Sequence, residues 1–151
     1  MRRKEKEIKD MAIIEEIIKQ SQVCRLAMVD GDTPYVIPMS YGYDGSHIYF
    51  HSALEGRKIE VLKKNPRVCF EFDEVIKLKK NKDACEWGMG FKSVIGEGNA
   101  SFVEDIAQKN HGLGVIMAQY SSRTFEFPKE SVDKTAVIKV AITRITGKQG
   151  G

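Results

Sequence analysis

VCRLAMVDGDTPYVIPMSYGYDGSHIYFH, residues 23–51, decides the fold. Three runs rich in β-branched and aromatic residues, 23–29, 35–43 and 47–51, read as strands. Asp30-Gly31 and Asp44-Gly45 separate them. Asp-Gly is favoured in tight hairpin turns, where the backbone must reach positive φ. The order strand, turn, strand, turn, strand is an antiparallel meander. Pro38 cannot donate to a ladder, so it fits an edge or an irregular spot.

Outward from the meander, the period changes with each segment. KEKEIKDMAIIEEIIKQ (4–20) predicts an amphipathic helix, with Ile8, Met11, Ile14 and Ile18 at helical spacing. A short helix is expected over 56–65, stopped by Asn65-Pro66. RVCFEFDEV (67–75) returns to sheet, with Val68, Phe70 and Phe72 on one face and Cys69, Glu71 and Asp73 on the other. The charged stretch 76–86 reads as a loop. FKSVIGEGNASFV (91–103) reads as a strand whose glycines suggest a bend or bulge. Residues 104–120 predict a helix with a stripe of Ile106, Leu113, Met117 and Tyr120, although Gly112 and Gly114 weaken it. TAVIKVAITRIT (135–146) is the last strand. Five or six antiparallel strands and three helices point to a mainly β, α+β domain over 1–151. A small closed or nearly closed barrel with helices outside is expected, because closure removes exposed edges.

The bulk numbers narrow the function classes. The chain has 151 residues, 42% hydrophobic and 30% charged, as in an ordinary globular domain. A net charge of +3, from 24 basic and 21 acidic residues, is too balanced for a dedicated nucleic-acid surface. The basic runs MRRKEK (1–6) and KLKKNK (77–82) lack interleaved aromatics and read as solvated surface. No apolar run approaches the roughly 20 residues needed to cross a bilayer. Three cysteines, Cys24, Cys69 and Cys85, with no CxxC and no signal peptide, suit a reducing cytoplasm.

The chemistry concentrates at IYFHSALEGRK (48–58). His47, Tyr49 and His51 share one face of their strand, and Ile48 and Phe50 the other. Ser52 and Ala53 begin a turn, and Gly56, Arg57 and Lys58 open a helix. The first turn of a helix exposes unpaired N–H groups and a partial positive dipole. A hydroxyl, a guanidinium and an ammonium added there make an anion site suited to phosphate. Arg57 and Lys58 can equally be solvated side chains on a surface helix, and His51 a strand histidine.

PYVIPMSYGY (34–43), IYFHSALEGRK (48–58), NPRVCFEF (65–72) and FKSVIGEG (91–98) occur in that order. Together they resemble the flavin-binding split-barrel family that includes pyridoxamine 5′-phosphate oxidase. The chain is most similar to the nitroimidazole-resistance (Nim-type) reductase branch, of which the opening MRRKEKEI and closing ITGK (145–148) are also typical. The resemblance implies a six-stranded antiparallel split β-barrel with flanking helices and a homodimer holding FMN at the subunit interface. It implies a phosphate clamp of Ser52, Arg57 and Lys58, next to Ala53. Pro38, Met39 and Ser40 match the strand segment whose backbone lies along the isoalloxazine ring, and Tyr41 beside them is a further expected cofactor-binding residue. Lys92 and Ser93 reach the cofactor from the far side, and His51 stands near both phosphate and ring. Two departures stand out. The chain ends at ITGKQGG without the longer basic signature of pyridoxamine phosphate oxidases, and Phe91 replaces a tyrosine common in the Nim branch.

The resulting expectation is an FMN-dependent oxidoreductase acting on a small, nitroaromatic-type substrate, with NAD(P)H or a redox protein as donor. His51 is the expected catalytic residue, since imidazole can exchange protons near neutrality. Trp87, Met89 and Phe91 alternate as an apolar face suited to core, dimer contact or flavin wall. Dispersed His and Cys spacing gives no metal motif. GEG at 96–98 lacks the βαβ context of a nucleotide fingerprint. Two alternatives remain: a haem protein using His47, His51 or His111, and a flavin-binding module without turnover.

Overall fold

The computed structural model describes residues 3–151; Met1 and Arg2 of the first basic run lie outside them. In chain order come β1 (Glu7–Ile8), α1 (Met11–Gln20), β2 (Cys24–Asp30), β3 (Thr33–Met39), β4 (Gly42–Tyr43) and β5 (His47–Ser52). Then follow α2 (Arg57–Lys64), β6 (Arg67–Lys79), β7 (Gly88–Val103), α3 (Ile106–Tyr120), α4 (Lys129–Asp133) and β8 (Ala136–Gly150). Every ladder is antiparallel. The strands form one sheet in the order β3-β2-β6-β7-β8-β5-β4, with β1 added on β8. Six long strands match the sequence reading. The count becomes eight because two-residue strands, β1 and β4, join them.

No hydrogen-bonded ladder joins the two ends of this order, β3 and β4. Yet only Ser40 and Tyr41 link them along the chain. Three peptide links reach at most about 11 Å, so the sheet must curl until its edges are neighbours. The barrel is therefore nearly closed, with a split at this joint. The expected single strand 35–43 breaks there. Tyr41 is 0% exposed and its amide donates to the Tyr120 hydroxyl at 3.0 Å, which turns the chain from one edge to the other. Pro38 lies on β3, an edge strand, where its missing N–H costs nothing.

Other boundaries moved for local reasons. The first helix begins at Met11, not residue 4, because the Asp10 carboxylate caps it by accepting from the Ala12 amide at 2.9 Å. Ile8 instead enters β1 opposite Gly147 and is buried. The loop expected over 76–86 starts later: β6 runs on to Lys79, with a register shift between Val75 and Lys77, and the loop then spans 80–87 with a single turn of 3-10 helix at Ala84–Glu86 before β7 starts at Gly88. Low β-propensity of the lysines hid the end of β6. The β7 irregularity exists, as a shift against β8 between Glu97 and Gly98. The short helix α4 was not anticipated.

The main core fills the barrel with Leu26, Ile48, Phe50, Phe70, Phe72 and Ile138, closed by Ile14, Ile17 and Ile18 of α1 and Ile59 and Leu62 of α2. A smaller cluster, Tyr49, Val103, Ile116 and Val137, lies beneath α3 on the other side of β5. The buried residues of α3 are Gly112 and Ile116 rather than the expected stripe. A Cβ at Gly112 would sit 2.9 Å from side-chain atoms of Tyr49 and Val137, so this glycine lets the helix lie close on the sheet. Among the described residues, no helix is long and apolar enough to cross a membrane.

Candidate functional site

The strand-to-helix corner is built as its residues dictate. β5 stays paired to β8 up to Ser52, opposite Ala136. A short loop, 53–56, then leads to Gly56 at φ +121°, a conformation that side chains disfavour. Gly56 is the N-cap of α2, and no side chain caps the helix. The first-turn N–H groups of α2 thus carry their partial positive charge without a side-chain acceptor.

Arg57 and Lys58 diverge by the roughly 100° that separates neighbours on a helix. The Arg57 Nε donates to Asp30 Oδ2 at 3.0 Å, and its guanidinium lies 4.4 Å from the Tyr35 ring centroid. Asp30 already neutralises this arginine, a pairing the sequence did not announce. Lys58 is different. It is half-buried, and its Nζ contacts the Met39 Sδ at 3.3 Å. Among the described residues it has no carboxylate partner. Thioether sulfur is a weak acceptor, and burial pushes the lysine pKa down. An ammonium held this way is stabilised by any anion that reaches it.

β3 distributes the other expected contacts over two faces. Tyr35, Ile37 and Met39 turn toward the core, and Met39 meets Lys58. Pro38 and Ser40 are exposed on the opposite face. Tyr41 follows at the joint between β3 and β4, and its side chain is buried. Its hydroxyl reaches the carbonyls of Ile18 and Ser21 and receives the Gln119 amide, so its polar atoms anchor the fold. Burial raises its pKa above the ordinary tyrosine value.

His51 is exposed at the end of β5, opposite Val137, on the face covered by α3. It borders a cavity of about 240 Å³ between α3 and α4. His47 lies at the strand's other end, with its Nδ1 2.9 Å from Ser46 Oγ and 3.4 Å from Asp44 Oδ2. Partial burial works against the Asp44 carboxylate. Hydrogen bonds from the Ser46 and His47 amides and the Ser46 hydroxyl outweigh it and bring its pKa down to about 2. His111 is exposed and stacks edge-on against Tyr49, centroids 5.8 Å apart. Among the described residues, no three His, Cys, Asp or Glu side chains are grouped to hold a metal. All three cysteines are free, Cys24 buried and Cys85 exposed.

Lys92 and Ser93 are not brought to the corner. The register runs from Pro38 through Arg25 and Glu71 to Ile95, three strand spacings or roughly 14 Å along the sheet. Ser93 pairs with Asp73 and Lys148 there. This outer face of the sheet is apolar in places, with Val36 61%, Val75 58% and Ile95 49% exposed. It also carries a cavity of about 620 Å³, bordered by Arg67, Cys69, Glu97 and Thr143. Trp87 and Met89 are half exposed on the β6–β7 arm, so they are not core of this chain. The sequence reading missed Asp30 and Tyr35, which hold Arg57, and Phe127, which borders the His51 cavity. Leu113 and Met117 were visible only as a helical stripe.

A family profile described as pyridoxamine 5′-phosphate oxidase matches residues 10–149. Among solved structures, the chain is similar to a candidate 5-nitroimidazole antibiotic resistance protein from Bacteroides thetaiotaomicron. The TM-score is 0.86 at 36% identity, over 95% of this chain and 86% of that one. It is also similar to a FAD-binding protein from Mesorhizobium loti, with a TM-score of 0.70 at 25% identity over 94% and 96% of the two chains. The flavocytochrome Anf3 from Azotobacter vinelandii shares the fold, with a TM-score of 0.87 at 19% identity over 100% and 72%. A 58-residue stretch is 31% identical to an uncharacterised protein of Rhizobium meliloti. That match spans 38% of each chain, little more than a third of the curated relative's length.

Proposed function

Because the chain belongs to the pyridoxamine 5′-phosphate oxidase family, we propose that it is an FMN-dependent oxidoreductase whose β5–α2 corner holds the cofactor phosphate. The observation that carries this reading is Lys58. Its half-buried ammonium faces only a thioether, beside a helix N-terminus that no side chain caps. Ser52 adds a hydroxyl donor, and Arg57 can turn its remaining guanidinium N–H groups to the same anion. These groups fit a phosphate monoester.

Bound flavin would supply the electron or hydride transfer. The chain's own residues fix the phosphate end, while the exposed His51 imidazole donates or accepts a proton at the substrate. The likeness to the candidate 5-nitroimidazole resistance protein at 36% identity supports a small nitroaromatic substrate. NAD(P)H or a redox protein is the proposed donor class. A homodimer is also proposed. The exposed Val36 and Ile95 give the outer sheet face an apolar surface for a C₂ partner, whose Lys92 and Ser93 would complete the site.

The test is a visible absorption spectrum followed by titration with FMN and with riboflavin. A flavin spectrum and FMN binding at least about 100-fold tighter than riboflavin are expected, since only FMN carries the charge-assisted phosphate contacts. Equal affinity would remove the clamp. A Soret band on the purified protein would replace flavin with haem.

A further inference from the structure

We infer that the cavity beside His51 is a pocket for an uncharged single-ring ligand, with Leu113, Met117 and Phe127 setting its size. Its standing as the substrate pocket rests on the flavin reading above; its ligand chemistry does not.

Size comes first. The cavity measures about 240 Å³. An apolar cavity of roughly 150 Å³ accommodates benzene, and drug-sized pockets begin near 300 Å³. One substituted ring fits between these limits, and a fused pair carrying a further substituent overfills the space.

The lining decides the charge. Leu113, Ile116 and Met117 of α3 face Phe127 and Val132 across the space. Among the described residues, no aspartate, glutamate, lysine or arginine borders it, and His51 is the one ionisable group. The remaining polar side chains are Ser131 and Thr135, and the Thr135 hydroxyl already donates to the Ser131 carbonyl at 2.8 Å. A charged ligand would lose its hydration here without a counter-charge. A ring with one acceptor substituent loses little, because the imidazole can donate to that acceptor. The large outer-face cavity is the opposite case, since Arg67 and Glu97 border it.

The walls are held in place. Ile116 and Val132 form a buried floor, 4% and 1% exposed. The Lys109 ammonium of α3 donates to the Thr135 carbonyl at 2.9 Å and approaches that of Val132 at 3.5 Å. This side chain ties the end of α4 to α3, so the pocket keeps its width.

The experiment is calorimetric titration of the flavin-loaded protein with acetophenone, benzoate and the two-ring ketone 2-acetonaphthone. Wild type, Leu113→Trp and Phe127→Ala are compared, with circular dichroism and FMN affinity as controls. Acetophenone should bind at least about 10-fold tighter than benzoate, because no lysine or arginine of the described residues borders the pocket. Leu113→Trp should weaken acetophenone at least about 10-fold by filling the space, with FMN affinity unchanged. Should that variant fail to fold, Phe127→Ala decides: the two-ring ketone should gain at least about 5-fold from the added room. Benzoate binding as well as acetophenone, or acetophenone unmoved by Leu113→Trp, overturns the inference. So does a Phe127→Ala variant without gain for 2-acetonaphthone. If FMN binds and acetophenone does not, this inference falls and the flavin reading stands. If FMN fails to bind while acetophenone responds to residue 113, the flavin reading falls and the pocket stands.

Discussion

The β5–α2 corner and the Lys92–Ser93 segment of β7 are expected to touch the same cofactor, yet they are built in opposite ways. At the corner, Ser52, Arg57 and Lys58 follow one another through a strand, a loop and the first turn of a helix. Their proximity is a consequence of short sequence separation. Lys92 and Ser93 sit on a long central strand, with β2 and β6 between them and β3. No local rearrangement in one chain closes that gap without breaking two ladders. The difference makes the phosphate end of the proposed site intramolecular, and it is the reason a second subunit is proposed for the other side.

The largest expected effect tests the first half. Replacing Arg57 and Lys58 together by alanine should weaken FMN by about 10²–10⁴-fold, taking two charge-assisted hydrogen-bonding groups at roughly 1.5–3 kcal/mol each. Fluorescence titration of the flavin measures it, and retained affinity breaks the comparison at its stronger side. Next, His51→Ala should leave FMN affinity nearly unchanged and lower turnover about 10²-fold, the low end for a lost general acid. Unchanged turnover with flavin bound would make His51 a bystander.

A smaller effect tests the second half. Lys92→Ala with Ser93→Ala should cost about 10-fold in FMN affinity, as for one or two exposed polar contacts. The sharper measurement mixes this variant with the Arg57/Lys58 double variant. If a partner completes the site, random dimers restore about a quarter of the wild-type sites, because each mixed dimer has one site with both halves intact. No restoration would mean that the two halves act in the same chain or not at all.

The smallest effect concerns the turn that launches β5. Asp44 is 21% exposed, and its folded pKa lies near 2, below the ordinary value of 3.8. A depressed carboxylate contributes stability fully above its unfolded pKa and loses it as pH falls through the folded one. Asp44→Ala should therefore destabilise by about 1–2 kcal/mol at neutral pH, with the difference from wild type shrinking between about pH 4 and pH 2. Denaturant melts across that range measure it, and a difference independent of pH would remove the hydrogen-bonded carboxylate as its cause.

Much of this was legible in the chain itself. The meander came from two Asp-Gly turns between alternating runs, and the alternation put His51 on the face opposite Ile48 and Phe50, the two residues that the structure buries in the barrel core. The end of β6, residues 76–79, was misread as loop because it is stabilised by pairing with β7 rather than by residue preference, while the rest of 76–86 is loop as expected. The anchoring role of the Tyr41 side chain was not legible because it depends on Ile18, Ser21 and Gln119, all distant in sequence.

By itself, then, the sequence determined the antiparallel strands, their turns and a cationic helix start after His51, because these depend on neighbours within a few residues. Only the tertiary structure decided which cation keeps its charge unpaired. Arg57 meets Asp30 and Lys58 meets Met39 because β2 and β3 come back beside α2, and no spacing in the chain encodes that meeting. It also decided that Lys92 and Ser93 stand apart from the corner, since strand order fixes lateral distance and strand order is set by how the whole sheet curls.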